Sequence, residues 1–154
     1  KIREEVNAKL LLVGDGPDSH LAFDLVNELG LKDDVLFLGK QKNISDLLSI
    51  SDLKLLLSEQ ESFGLVLLEA MCCEVPCIGT NIGGIPEVIR HNETGFLVEL
   101  GDVDRAAEYA IKVLKDEHLL KTLSKNALLY AKNEFHSEKI VQQYIHLYNE
   151  VLLN

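Results

Sequence analysis

Two carboxylates with seven residues between them, Glu61 and Glu69, stand in the segment Ser58-Glu59-Gln60-Glu61-Ser62-Phe63-Gly64-Leu65-Val66-Leu67-Leu68-Glu69-Ala70-Met71. The segment follows a strand-like run and opens a helix-like one, which predicts Glu61 ahead of the helix and Glu69 about a turn and a half into it. So placed, the two groups bracket a ligand from its two ends rather than share one proton, and each can accept hydroxyl hydrogen bonds, one from a sugar and one from a ribose. Gly64 at the helix start lets backbone N–H groups face an anion with the positive end of the helix dipole behind them, an arrangement that suits a diphosphate. On the pair alone the plainer reading is favoured: a solvated Glu61 in the first turn and an exposed Glu69. The neighbours Leu65, Val66, Leu67, Leu68, Ala70 and Met71 shift that balance, because they make the helix apolar almost all round. Glu69 is then expected to be a buried carboxylate, which needs a partner.

The elements that must hold these groups follow a repeating pattern. Lys9 to Val13 reads as a strand ending in the turn Gly14-Asp15-Gly16-Pro17, and Leu21, Leu25, Val26 and Leu29 continue at helical spacing up to Gly30 as a stop. The unit recurs in Val35 to Leu38 with Ile44 to Ile50, and in Leu53 to Leu57 with Leu65 to Cys72. Two more copies are Pro76 to Gly79 with Pro86 to His91, and Phe96 to Val98 with Val103 to Leu114. Strands alternating with helices predict an α/β chain with a parallel sheet and helices on both faces, the ligand edge lying at the carboxyl ends of the strands. Glu117 to Ala131 and Ser137 to Leu152 read as two closing helices. Ser137 is the expected cap of the last, whose residues Ile140, Val141, Tyr144, Leu147, Tyr148, Val151 and Leu152 make a wide apolar face that would normally pack on something. No linker or repeat divides the chain, so residues 1–154 are read as one domain. Its opening Lys1 to Val6 resembles the tail of a helix, and truncation at the amino terminus is expected.

Composition narrows the function classes. The net charge of -10, with no basic stripe, argues against nucleic acid and against anionic membrane surfaces. The apolar runs are too short for a bilayer span and the first residues are charged where a signal peptide is greasy, so a cytoplasmic protein is expected. Cys72, Cys73 and Cys77 have neither zinc-site pairing nor an even count for disulfides, and read as buried thiols in a reducing compartment. The five His residues, at 20, 91, 118, 136 and 146, show no metal-ligand spacing. Asp102-Val103-Asp104 looks like a metal-binding Asp-x-Asp but follows Gly101 and opens a helix, where Asp102 is an ordinary cap and Asp104 a good partner for the dipole. No metal or other cofactor is expected. Gly83-Gly84-Ile85-Pro86 stays open between a phosphate loop and a purely structural turn into a helix.

With these residues in view, the chain resembles the GT4 family of retaining glycosyltransferases, which have the GT-B fold of two Rossmann-like domains. The likeness rests on Glu61 and Glu69 with Phe63-Gly64, on Val13-Gly14-Asp15-Gly16-Pro17, on Val35 to Gly39, on Gly83-Gly84-Ile85-Pro86-Glu87 and on Thr94-Gly95-Phe96-Leu97-Val98, all in the family's order. It implies a carboxy-terminal, donor-binding half-enzyme. Glu61 would contact hydroxyls of the donor sugar as the catalytic glutamate and Glu69 the ribose hydroxyls. Ser62 and the backbone of Phe63, Gly64 and Leu65 would approach the sugar and diphosphate, and Gly39, Lys40 and Gln41 would lie near the base. Within the family the run from Leu56 through Gly84 resembles members that join N-acetylglucosamine from UDP-N-acetylglucosamine to L-malate in bacillithiol synthesis. The UDP-sugar is then a substrate rather than a cofactor.

The resemblance also implies what this chain lacks. The family's donor domain begins with a strand and loop whose Arg and Lys grip the diphosphate, and nothing of that kind precedes Leu10. A GT-B amino-terminal domain is therefore the implied partner, and the chain alone would bind weakly and catalyse nothing. Without the first strand a gap is expected between Lys9 to Val13 and Leu53 to Leu57. Two rival functions remain: a nucleotide-sugar epimerase of the same fold, which a catalytic pair from the other half would distinguish, and a non-catalytic interaction module using the last helix.

Overall fold

The computed structural model describes residues 1–153. A short helix α1 (Ile2–Glu5) leads into β1 (Leu10–Val13), α2 (Ser19–Glu28), β2 (Val35–Gly39) and α3 (Ile44–Ser49). Next come β3 (Lys54–Leu56), α4 (Leu65–Cys72), β4 (Cys77–Thr80), α5 (Ile85–Val88) and β5 (Gly95–Val98). The helices α6 (Val103–Lys115), α7 (Glu117–Glu134) and α8 (Ser137–Leu153) close the chain. Every strand and helix expected from the hydrophobic period is present, with ends moved by a residue or a few.

All pairings are parallel, as crossover helices require. Leu10 pairs with Val35 in a two-stranded sheet of β1 and β2. Lys54 pairs with Cys77, and Cys77 with Gly95, in a three-stranded sheet ordered β3-β4-β5. Strands β1 and β3 do not pair, so the expected gap is where the two sheets separate.

The core belongs to the three-stranded sheet. Every residue of β4 is buried, and because successive side chains point to opposite faces, Cys77 enters one apolar cluster and Ile78 the other. On the first face Leu67, Ala70 and Met71 of α4 pack with Val75, Ile85, Val88 and Ile89 against Ala127 and Ala131 of α7. On the second, Phe96 and Val98 meet Ala106, Ala110 and Val113 of α6 and Leu123 of α7. By contrast β1, α2 and β2 contain no buried residue, although Phe23 of α2 stacks on Phe37 of β2 with centroids 3.8 Å apart. Segment α1 straps the two parts together: Ile2 packs on the second cluster, Glu5 pairs with Lys115 and Lys1 with Asp104 of α6, while Arg3 reaches Asp34 at the start of β2.

Two local expectations are corrected. Ser137 is the first residue of α8 rather than its cap; the Glu138 amide instead donates to Nδ1 of His136 at 3.3 Å. The wide face of α8 is largely uncovered among the described residues: Val141, Tyr144, Tyr148 and Val151 are all more than half exposed.

Candidate functional site

Strand β3 ends at Leu56, and the chain then runs as an irregular loop to Gly64 before α4 begins. Gly64 has φ +87°, a left-handed conformation that costs a side-chain-bearing residue about 1 kcal/mol or more, so the loop turns into the helix at the one residue type suited to it. Glu61 folds back on its own turn: Oε1 accepts the N–H of Ser62 at 3.1 Å and lies 3.5 Å from that of Phe63. This fixes one carboxylate oxygen against the backbone and leaves Oε2 to accept from a ligand.

The wall facing Glu61 is the segment between β4 and α5. A Cβ added to Gly83 would lie 1.8 Å from the Glu61 carbonyl oxygen, and one on Gly84 would lie 2.4 Å from that of Ser62 and 2.7 Å from Cα of Phe63. Main chain presses on main chain there, which accounts for both glycines structurally. Between the two segments opens a shallow pocket of about 600 Å³ lined by Glu59, Gln60, Glu61, Ser62, Ile82 and Gly83. Its polar groups are two carboxylates, an amide and a hydroxyl, with no cation. That is a hydrogen-bonding set for a neutral polyhydroxyl group and a poor one for phosphate.

Other expected residues lie outside this pocket. Glu69 is exposed, not buried as the apolar run around it suggested. The reason is that α4 packs through Leu67, Ala70 and Met71, with Leu68 partly buried beside them, while Leu65, 65% exposed, and Val66 share the open side with Glu69. A carboxylate standing among bare apolar side chains is available to a ligand without the cost of a buried charge. Phe63 packs against the first core cluster and meets Phe135 edge-on at 5.9 Å, which sets the backbone of Phe63, Gly64 and Leu65 at the mouth of the helix. Gly39, Lys40 and Gln41 follow the carboxyl end of β2; Gly39 has φ +60°, and Gln41 donates to the Leu38 carbonyl at 2.5 Å. Glu59, Gln60 and Ile82 were not singled out in advance. For the first two the signal was proximity to Glu61, whereas Ile82 enters only through the tertiary fold.

The thiols also need correction. Only Cys77 is buried, and burial pushes its thiol up to about 12, which makes it inert; Cys73 is half-buried and Cys72 exposed. Asp102 behaves as expected: its side chain accepts the Arg105 N–H at 2.9 Å and caps α6. Among the described residues no group of three or more His, Cys, Asp or Glu side chains is placed to hold a metal ion.

Comparison with known proteins bears on the chain as a whole. The family model described as "Glycosyl transferases group 1" matches residues 1–129. Among curated relatives, N-acetyl-alpha-D-glucosaminyl L-malate synthase of Bacillus anthracis is 58% identical over 152 residues, 99% of this chain and 40% of the relative. Anabaena HepE in complex with UDP superposes with a TM-score of 0.86 at 30% identity, covering 93% of this chain and 41% of that one. The same protein with UDP-glucose gives 0.84 at 30% identity, covering 92% and 41%. The chain thus spans about two fifths of the length of these relatives.

Proposed function

The chain belongs to the group 1 glycosyl transferases, and from that membership we propose that residues 1–154 form the donor-binding domain of an enzyme that transfers N-acetylglucosamine from UDP-N-acetylglucosamine to L-malate, a retaining transfer. The donor rests on one observation above all, the cation-free pocket in which Glu61 has one oxygen fixed by its own backbone and the other free for a sugar hydroxyl. The acceptor rests on the 58% identity to the malate synthase. The product then serves bacillithiol synthesis, and soluble substrates of this kind suit a cytoplasmic enzyme. Among the described residues no helix is long and apolar enough to cross a membrane.

In this reading Glu61 and Ser62 hold the sugar, and the backbone at Phe63, Gly64 and Leu65 carries the sugar–diphosphate junction over the start of α4. Glu69 accepts the ribose hydroxyls, and Gly39, Lys40 and Gln41 border the base. As UDP departs, negative charge grows on the diphosphate, and the helix end at Gly64 answers only part of it. The rest needs cations, none of which lines the pocket. The whole protein is therefore proposed to work through a GT-B amino-terminal domain and a diphosphate-gripping loop besides this chain, with the acceptor held between the halves. No step calls on a metal.

Isothermal titration of UDP and UDP-N-acetylglucosamine into the whole protein tests the reading, with Glu69→Ala alongside. Loss of a charge-assisted ribose contact should weaken both ligands about tenfold or more. A whole protein that binds neither ligand overturns the proposal.

A further inference from the structure

The position of Glu61 is not set by the helix that follows it. Its loop is gripped from outside: Phe63 at its end packs on the first core cluster and meets Phe135, and the stretch before it is held by the five residues 80–84. At the near end, the Thr80 hydroxyl donates to the Ser58 carbonyl at 2.6 Å, and Thr80 is only 2% exposed, one of two buried polar residues in the core. At the far end, Gly83 and Gly84 lie against the Glu61 and Ser62 carbonyl oxygens and Phe63 Cα so closely that no side chain fits between. Segment 80–84 is itself anchored from behind: the Asn81 amide donates to the Val98 carbonyl at 2.7 Å, and its side chain donates to Glu99 at 3.1 Å. The carboxylate is thus carried on a loop held at both ends by a rigid neighbour tied to β5.

We propose that Thr80 is a positioning residue for the transfer: its buried hydroxyl fixes the start of the Ser58–Phe63 loop, and with Gly83-Gly84 at the other end it sets where the Glu61 carboxylate stands. The inference rests on the role given to Glu61 above. A buried hydroxyl whose sole acceptor is a backbone carbonyl would otherwise serve stability alone, and that alternative makes a different prediction. If Thr80 acts through Glu61, its loss is felt in the step where Glu61 bears on the sugar, and not in the holding of UDP, which the ribose contact governs.

The test uses the whole protein with UDP-N-acetylglucosamine and malate. Thr80→Val keeps the volume and deletes the donor; Thr80→Ser keeps the donor. The expected result is a fall in kcat of about tenfold for Thr80→Val with UDP affinity within about twofold, and recovery of most of the activity in Thr80→Ser. In a Glu61→Gln background, Thr80→Val should cost little further, because its effect has already been removed. Should Thr80→Val fail to fold, Thr80→Cys supplies a poor donor of similar size for the same comparison. Unchanged kcat in a folded Thr80→Val or Thr80→Cys protein, or a loss that is fully additive with Glu61→Gln, overturns the inference. Full activity in Glu61→Gln itself would instead overturn the reading of the site, so the two failures are distinguishable.

Discussion

Asp34 is the residue whose surroundings make the clearest statement about pH. Lys9 Nζ meets Oδ1 and Arg3 Nε meets Oδ2, both at 2.7 Å, and these two cations hold the carboxyl below its usual range. A depressed folded-state pKa stabilises the protein above the unfolded-state value, near 3.9 for Asp, and that contribution disappears as the pH falls through the folded-state pKa. Asp34→Asn should therefore lower the Tm at pH 7, and the gap to the unsubstituted protein should narrow as the pH falls below about 3.9, a convergence that melting curves across acid pH would show. The same scale explains what the sequence could and could not tell. Glu61 and Glu69 stood out by type and spacing, yet the exposure of Glu69 was misjudged because an apolar neighbourhood in sequence does not say which side of a helix is covered. Gly83-Gly84 stayed ambiguous for a related reason, since the atoms they must clear lie more than twenty residues away in the chain. Thr80 carried no local signal at all; its acceptor is Ser58, across the sheet edge.

At the scale of elements, hydrophobic period and caps located all five strands, and α4 was placed to the residue at Leu65–Cys72. The caps of α6 and α7 are satisfied by Asp102 and Asp116, whose side chains accept from Arg105 and Leu119, each at 2.9 Å. Asp102→Ala should cost about 1 kcal/mol of stability by chemical denaturation, with no change in UDP affinity, because α6 packs on the face of the sheet and contributes nothing to the pocket. An altered affinity in that variant would place α6 closer to the site than its packing allows. The cap of α8 escaped the sequence reading because His136 and Ser137 are adjacent and both polar, and only the backbone decides which of them stands outside the helix.

Across the whole molecule the division is between a sheet with two cores and a sheet with none. Strand β4 is the shared wall: Cys77 belongs to one cluster and Ile78 to the other, so the two cores are built on one strand. The β1–α2–β2 part has only half-covered strands, with Leu10, Val13 and Leu36 each 42% exposed, and α1 ties it to the rest through the Ile2 contact and through ion pairs, of which those of Lys1 and Glu5 with α6 are exposed. Such pairs weaken with added salt, whereas the paired cores do not. Calorimetry of this chain should therefore show one sharp endotherm for the β3–β4–β5 body, preceded by a broad, low-enthalpy shoulder that moves to lower temperature as ionic strength rises. A single salt-independent peak would mean that the two sheets melt as one. In the language of heat capacity, alternation along four residues of β4 makes two cores into one cooperative unit, and the broken sheet leaves the remainder of the chain outside it.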